Sequence, residues 1–271
     1  MTETVYNKTF FGNITGNSIQ SARQMLPEVF KWVEPKSMLE LGSGTGAWTM
    51  VARELGLTEC VASDGPWVKD TDLLIPKHCF IRHDLEKPFA VDKKFDLALS
   101  LEVAEHLRPS AAQDFVTSLT AHSDIVLFGA ALKLQGGTQH LNEQWAQYWI
   151  DIFRDKCFVC FDVVRPFFWN NNNIAFYYKQ NTFIFVRNSE KTTSIRTRLK
   201  ALHAELYENS ANLCFIHPQK WEEVASYSKV NPATFFPKLP TLLFVVTPKA
   251  YRHRIAGKLR AIFRKIKSML N

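Results

Sequence analysis

The sequence predicts an open α/β sheet, mostly parallel, covered by helices on both faces and followed by a C-terminal extension. Three observations carry that expectation. Short apolar runs alternate with helical patterns, a glycine-rich turn follows the first run, and carboxylates end the next two.

Residues 1–37 read as a helical cover. Ile19, Ala22, Met25, Leu26, Val29 and Phe30 keep a helical repeat, with Asn17 or Ser18 as its cap and Pro27 as a bend. A turn at Glu34-Pro35-Lys36-Ser37 then opens a core over residues 38–187. It starts with a strand at 38–41 and a helix at 48–55 closed near Gly56. Strands at 60–63, ending in Asp64, and 79–82, ending near Asp84, precede another at 95–101. Ser110-Ala111-Ala112-Gln113 has the form of a capping box for a helix reaching residue 121. A strand at 124–130, a helix at 143–153 and strands at 158–165 and 182–187 close the series. No clear helix separates the last pair, which favours an antiparallel final strand. Residues 188–248 form an accessory extension in which Ile195, Leu199, Leu202 and Leu206 mark a helix face.

Composition points to a soluble globular chain, 46% hydrophobic and 22% charged. The sequence has neither the order of a secretory signal nor an apolar run able to span a bilayer, so the expected compartment is the cytoplasm. Cys157 and Cys160 form a CxxC, but inside an apparent strand they point to opposite faces, which argues against a redox or metal pair. Residues 249–271 hold eight Lys or Arg and no acid; taking those charges from the chain's +7 leaves −1 over residues 1–248. A nearly neutral body argues against nucleic acid as partner.

The strongest local signal is Leu39-Glu40-Leu41-Gly42-Ser43-Gly44-Thr45-Gly46-Ala47-Trp48. Glycines allow a tight turn and close backbone approach, and the helix after them offers free N–H groups to an anionic ligand. The spacing is GxGxG, with Ala47 where a dinucleotide site would have its third glycine. Asp64, after the second strand, can accept both hydroxyls of a ribose, and Asp84-Leu85, after the third, can read an adenine edge. Together these favour S-adenosyl-L-methionine as cofactor.

These pieces, with Phe95-Asp96-Leu97-Ala98-Leu99-Ser100-Leu101-Glu102-Val103-Ala104-Glu105-His106-Leu107, resemble the class I S-adenosylmethionine-dependent methyltransferase family. The resemblance implies a Rossmann-like seven-stranded sheet in the order 3-2-1-4-5-7-6, with the last strand antiparallel. It places Glu40, Gly42, Ser43, Gly44 and Gly46 around the methionine portion, Asp64 on ribose and Asp84 on adenine. Gly65, Leu85 and Leu101 would line the same site. Trp67 departs from the plain aliphatic residue common after the ribose-binding acid; it is read either as an adenine stack or as a structural tryptophan.

For the chemistry, Glu102, Glu105 and His106 form a polar cluster at the fourth strand's end. It resembles the ExxEH segment of ubiquinone-pathway and small-RNA O-methyltransferases, some of which bind a divalent metal there. No downstream histidine lies at close spacing, His122 being sixteen residues on, so no metal is assigned and the cluster reads as acid–base, acceptor-binding or supporting. His140, in Gly136-Gly137-Thr138-Gln139-His140-Leu141-Asn142-Glu143, is the second candidate base, with Asn142 as a helix cap and Glu143 in the helix's first turn. The run from Arg165 through Phe167, Phe168 and Trp169 to Asn173 reads as an acceptor-pocket wall or as an anchored connection; Tyr177 and Tyr178 share that ambiguity.

The resemblance extends to methyltransferases of polysaccharide and natural-product pathways, which implies a small-molecule or sugar-like acceptor. An RNA methyltransferase, an adenosylmethionine-consuming cyclase and a non-catalytic binding module stay open beside it. In residues 249–271, Tyr251, Ile255, Leu259, Ile262 and Ile266 recur at helical steps opposite the basic residues. That amphipathic pattern suits docking on the protein or a partner subunit, or peripheral contact with an anionic membrane.

Overall fold

A computed structural model describes residues 8–203, which lie within one of the chain's two units, Met1–Glu208. The tail pattern and the extension beyond residue 203 fall outside the described residues.

Seven strands form one sheet: β1 (Ser37–Leu41), β2 (Glu59–Asp64), β3 (Phe80–Arg82), β4 (Leu97–Leu101), β5 (Ile125–Gly129), β6 (Phe158–Phe161) and β7 (Thr182–Arg187). Their order is β3-β2-β1-β4-β5-β7-β6. All pairings are parallel except those of β7, which runs antiparallel to both β5 and β6. The sheet order and the reversed last strand therefore match the expectation. β1 and β4 are neighbours whose chains leave in opposite directions, and the crevice at such a switch point is where open α/β sheets take ligands.

β1, β4 and β5 are buried along their whole length, which explains their apolar runs. On one face, Met38, Leu97, Leu99, Leu101 and Leu127 pack with α1 (Lys8–Val33), α2 (Ala47–Glu54) and α7 (Thr193–His203). α3 (Ala112–His122) and α4 (Ala146–Asp155) cover the other, where Phe153 stacks on Phe185 at 3.9 Å. Leu199 is buried and Ile195 packs beside it, so the helix face read after residue 188 is partly in the core.

Several local expectations change. α1 runs through Asn17, Ser18 and Pro27 without a break; Ser18 is no cap but bonds the Tyr178 hydroxyl at 2.9 Å. The proposed capping box is absent: α3 starts after Ala111 with no side-chain cap, and Pro109 to Ala111 form a 3-10 turn. Residues 65–79 cross from β2 to β3 with only short 3-10 turns, because Gly65, Pro66 and Pro76 punctuate them. The strand expected at 158–165 stops at Phe161, and α5 (Val164–Phe168) and α6 (Phe176–Asn181) lead to β7. Cys157 lies before that strand with a left-handed backbone (φ 62°), and the four described cysteines are free.

The early end of β6 has a cause in the buried pair of Asp162 and Arg165. The Arg165 guanidinium donates to Asp162 Oδ1 at 2.8 Å and also to Oδ2, and lies 4.5 Å from the Phe183 ring. An i,i+3 pair closes across a helical turn but not along a strand, where the two side chains point to opposite faces. Among the described residues no helix is long and apolar enough to cross a membrane. Replacing one partner strands a buried charge, so R165M should lower unfolding free energy by about 3–5 kcal/mol, and D162L/R165M should recover most of it. Urea denaturation checks this; equal losses in the single and double variants would contradict it.

Candidate functional site

The parallel strands point their carboxyl ends to one rim, and the residues expected around the cofactor fall at or beyond the ends of β1, β2, β3 and β4. Gly42 and Gly44 adopt left-handed backbone (φ 86° and 53°) as the chain turns out of β1. The Gly42 and Ser43 amides donate to the Ser63 carbonyl on β2 at 2.8 and 3.1 Å. A Cβ on Gly42 would stand 2.2 Å from a Val103 methyl, so the loops after β1 and β4 touch only because this position carries no side chain. Gly46 (φ 88°) precedes α2, and Ile75 packs over it.

Asp64 joins the two strand ends. Its Oδ2 accepts the Gly44 amide at 2.6 Å and its Oδ1 the Gly65 amide at 2.7 Å, with a further hydrogen bond from the Trp67 side chain. Burial pushes its pKa up, and these donors work against that shift. Glu40, on β1 beneath the loop, accepts the Thr49 amide (3.0 Å) and hydroxyl (2.5 Å) in the first turn of α2. Burial raises Glu40 to about 8.

Asp84 lies beyond β3 and is exposed, 3.5 Å from Lys87. The next strand end places it on the same rim, since the His83 amide donates to the Asp64 carbonyl at 2.9 Å. Leu85 is buried beside it in sequence, and Leu101 is buried at the end of β4.

A second cluster occupies the rim where β4, β5 and β7 meet. Glu102 has a left-handed backbone (φ 58°), and its carboxylate accepts from Asn181 at 2.8 Å and Gln135 at 3.2 Å. Gln180 donates to the carbonyl oxygens of both amides. Burial raises Glu102 to about 7. Glu105 is 0% exposed; its carboxyl shares a hydrogen bond with that of Glu102, and the Glu105 and Ala131 amides favour its charge. Burial, then the neighbouring Glu102 charge, holds its pKa well above the usual carboxylate range.

The loop after β5 brings His140 to this cluster. Its ring meets His106 edge-on at 4.8 Å, and the ligand atoms of Glu105, His106 and His140 all lie within 4.8 Å of one another. The Leu141 and Asn142 amides donate to the Glu105 carbonyl, tying the loop down. Burial and then His140 lower the His106 pKa to about 4. Glu143 does not sit in a helical first turn; it accepts from His140 Nδ1 (2.7 Å) and from the Leu134 and Gly136 amides, and α4 begins only at Ala146. Asn142 caps no helix either, being buried with its side-chain oxygen bound to Gln144.

Three carboxamides, Gln135, Gln180 and Asn181, were not read as site residues. Two of them immediately precede β7, and only that strand's reversal brings them to the rim. His122, by contrast, bonds the Val91 amide and the Ser118 carbonyl, apart from the cluster. The aromatic run is an anchored connection: Phe167 and Phe168 pack on Trp32, and Asn171 bonds Gln24. A crevice lined by Phe128, Trp149 and Phe183 lies beside Asn181, and the buried Trp149 indole N–H has no hydrogen-bond partner.

No protein-family model matches the chain, and no curated protein matches it. Solved structures that resemble it include the Streptomyces venezuelae protein DesVI, at 11% identity and a TM-score of 0.48, covering 63% of this chain and 92% of that one. The methyltransferase domain of bacterial CtHen1-C matches at 15% identity and a TM-score of 0.47, over 63% and 98%. The glycopeptide N-methyltransferase MtfA matches at 18% identity and a TM-score of 0.35, over 45% of this chain and only 56% of its own. The fold rests on the strand order itself.

Glu40 generates a pH prediction. A carboxyl whose folded pKa is about 8 against an ordinary 4.5 keeps its proton in the folded state, so its contribution is complete below 4.5 and is lost as pH rises through 8. The wild type should lose stability across that interval, and E40Q, which cannot ionise, should lose less. Thermal melts at stepped pH check this; identical slopes would contradict it.

Proposed function

We propose that this chain is an S-adenosyl-L-methionine-dependent methyltransferase acting on a hydroxyl or amine of a small or sugar-like molecule. The Asp64 carboxylate seated on the Gly44 amide carries the reading: it joins a diol acceptor to a glycine cradle at the switch point of the sheet. The turn fits the group, because Gly42, Gly44 and Gly46 all take left-handed backbone and leave three alternate positions without side chains next to the Asp64 carboxylate bound at Gly44. Residues 42–46 would hold the methionine end, Asp64 the ribose, and Asp84 with Leu85 the adenine edge.

Bound adenosylmethionine supplies a methyl group already activated on a sulfonium. The chain's part is to align the acceptor, exclude water and, for a hydroxyl, remove a proton. Glu143 orients the His140 ring, and Gly137 admits it, since a Cβ there would stand 2.2 Å from Nε2. His140 is thereby the base to bet on, with Glu102 and His106 beside it.

One observation favours a further reading of that cluster. Glu105 buries a carboxyl whose ligand oxygen lies within 4.8 Å of ring nitrogens of both His106 and His140, a donor set that fits a divalent cation. Glu105, His106 and His140 would hold it. Such a cation would supply positive charge to an acceptor oxygen and ease its deprotonation.

Mass spectrometry after incubation with adenosylmethionine and candidate sugars, alcohols and amines should find a product one CH₂ heavier. H140A should lower turnover by about 10²-fold or more while S-adenosylhomocysteine affinity changes little. Chelator should abolish turnover and added Mg²⁺ or Mn²⁺ restore it; turnover indifferent to chelator would overturn the cation and leave His140 as the base. Absence of any adenosylmethionine binding would overturn the whole reading.

A further inference from the structure

Asp64 has more suitors than its carboxylate can serve. An ionised carboxylate offers about four lone-pair positions. Three are engaged within the chain, by the Gly44 and Gly65 amides and the Trp67 side chain. A ribose that presents both hydroxyls needs two, so one internal donor must withdraw. The two amides belong to backbone fixed by the strand ends; the indole belongs to a side chain.

The indole also lies where the nucleoside must approach. Its six-membered ring rests directly on Gly65, so closely that a Cβ there would be 2.2 Å from two of its carbons. Trp67 packs partly buried at the edge of a small cluster containing the buried Val68, Ile75 and Cys79. Its backbone belongs to the crossover held by short 3-10 turns rather than a helix. The ring can leave without unpacking the sheet.

Resting on the reading of Asp64 as the ribose acceptor, we propose that Trp67 is an internal competitor for the nucleoside diol, displaced from Asp64 when both ribose hydroxyls bind. The exchange makes the site selective. An intact cis-diol replaces one hydrogen bond with two, whereas a nucleoside without those hydroxyls offers no replacement and leaves the indole in place. Trp67 is thus a specificity-determining residue of the cofactor site rather than a platform beneath adenine.

Calorimetry on wild type and W67F, with S-adenosylhomocysteine, adenosine and 2′,3′-dideoxyadenosine as probes, tests this. Phenylalanine keeps a ring but loses the N–H, so W67F should bind the first two about tenfold to a hundredfold more tightly, the range set by one hydrogen bond to a charged group. For the dideoxynucleoside the two proteins should agree within about twofold, because no hydroxyl contests the carboxylate. In the wild type, the Trp67 indole N–H followed by NMR should exchange faster with solvent once S-adenosylhomocysteine is bound. Equal or weaker diol binding by folded W67F, or an indole N–H whose protection does not change, would overturn the competitor. If neither folded protein binds S-adenosylhomocysteine or adenosine, the nucleoside reading of Asp64 falls with it.

Discussion

The bond between the Asp64 carboxylate and the Gly44 amide is the constraint on which the site depends. A buried carboxylate is costly unless donors surround it. Here the donors come from two strand ends, so the loop after β1 and the turn after β2 specify each other. Ser63 strengthens the arrangement by accepting the Gly42 and Ser43 amides. Glu40 fixes the far side of the loop through Thr49, joining β1 to the first turn of α2. β1, the loop after it, the turn after β2 and the first turn of α2 are thereby locked together by polar groups that would otherwise be orphaned.

The second half of the rim follows a different logic. β4 leads into Glu102, whose left-handed backbone turns the chain into the segment carrying Glu105 and His106. β5 ends in a loop that returns to the Glu105 carbonyl and delivers His140. β7 enters the sheet at this rim because it is antiparallel, bringing Gln180 and Asn181 to the Glu102 carboxylate. Val103 on one loop and Gly42 on the other connect the halves. The glycine turn and the polar cluster are thereby held together at the contact of Gly42 with Val103.

Much of this was legible from local pattern. The apolar strands, the glycine turn and Asp64 all leave marks within ten or twenty residues of themselves; the final strand is reversed as expected, but not for want of a helix before it, since α5 and α6 stand between β6 and β7. What escaped was set by longer-range or competing interactions. The spacing between His106 and His140 gives no hint of their contact, which the folding back of the β5 loop creates. Gln180 and Asn181 carry no local mark of a site; the reversal of β7 brings the residues just before it to the Glu102 carboxylate. The strand read through Arg165 failed because the Asp162 pair favours a helical turn over extended backbone. Ser18 has the chemistry of a cap but serves Tyr178 from within α1. Trp67 stood out as a departure from the family pattern, but its bond to Asp64 is visible only in three dimensions.

The most direct measurement of the central claim is a crystal structure of the protein with S-adenosylhomocysteine. The account predicts ribose hydroxyls on the Asp64 carboxylate, the homocysteine portion across residues 42–46, and the sulfur directed toward Glu102 and His140. A nucleoside bound elsewhere on the chain, with Asp64 still enclosed by its own amides, would contradict it.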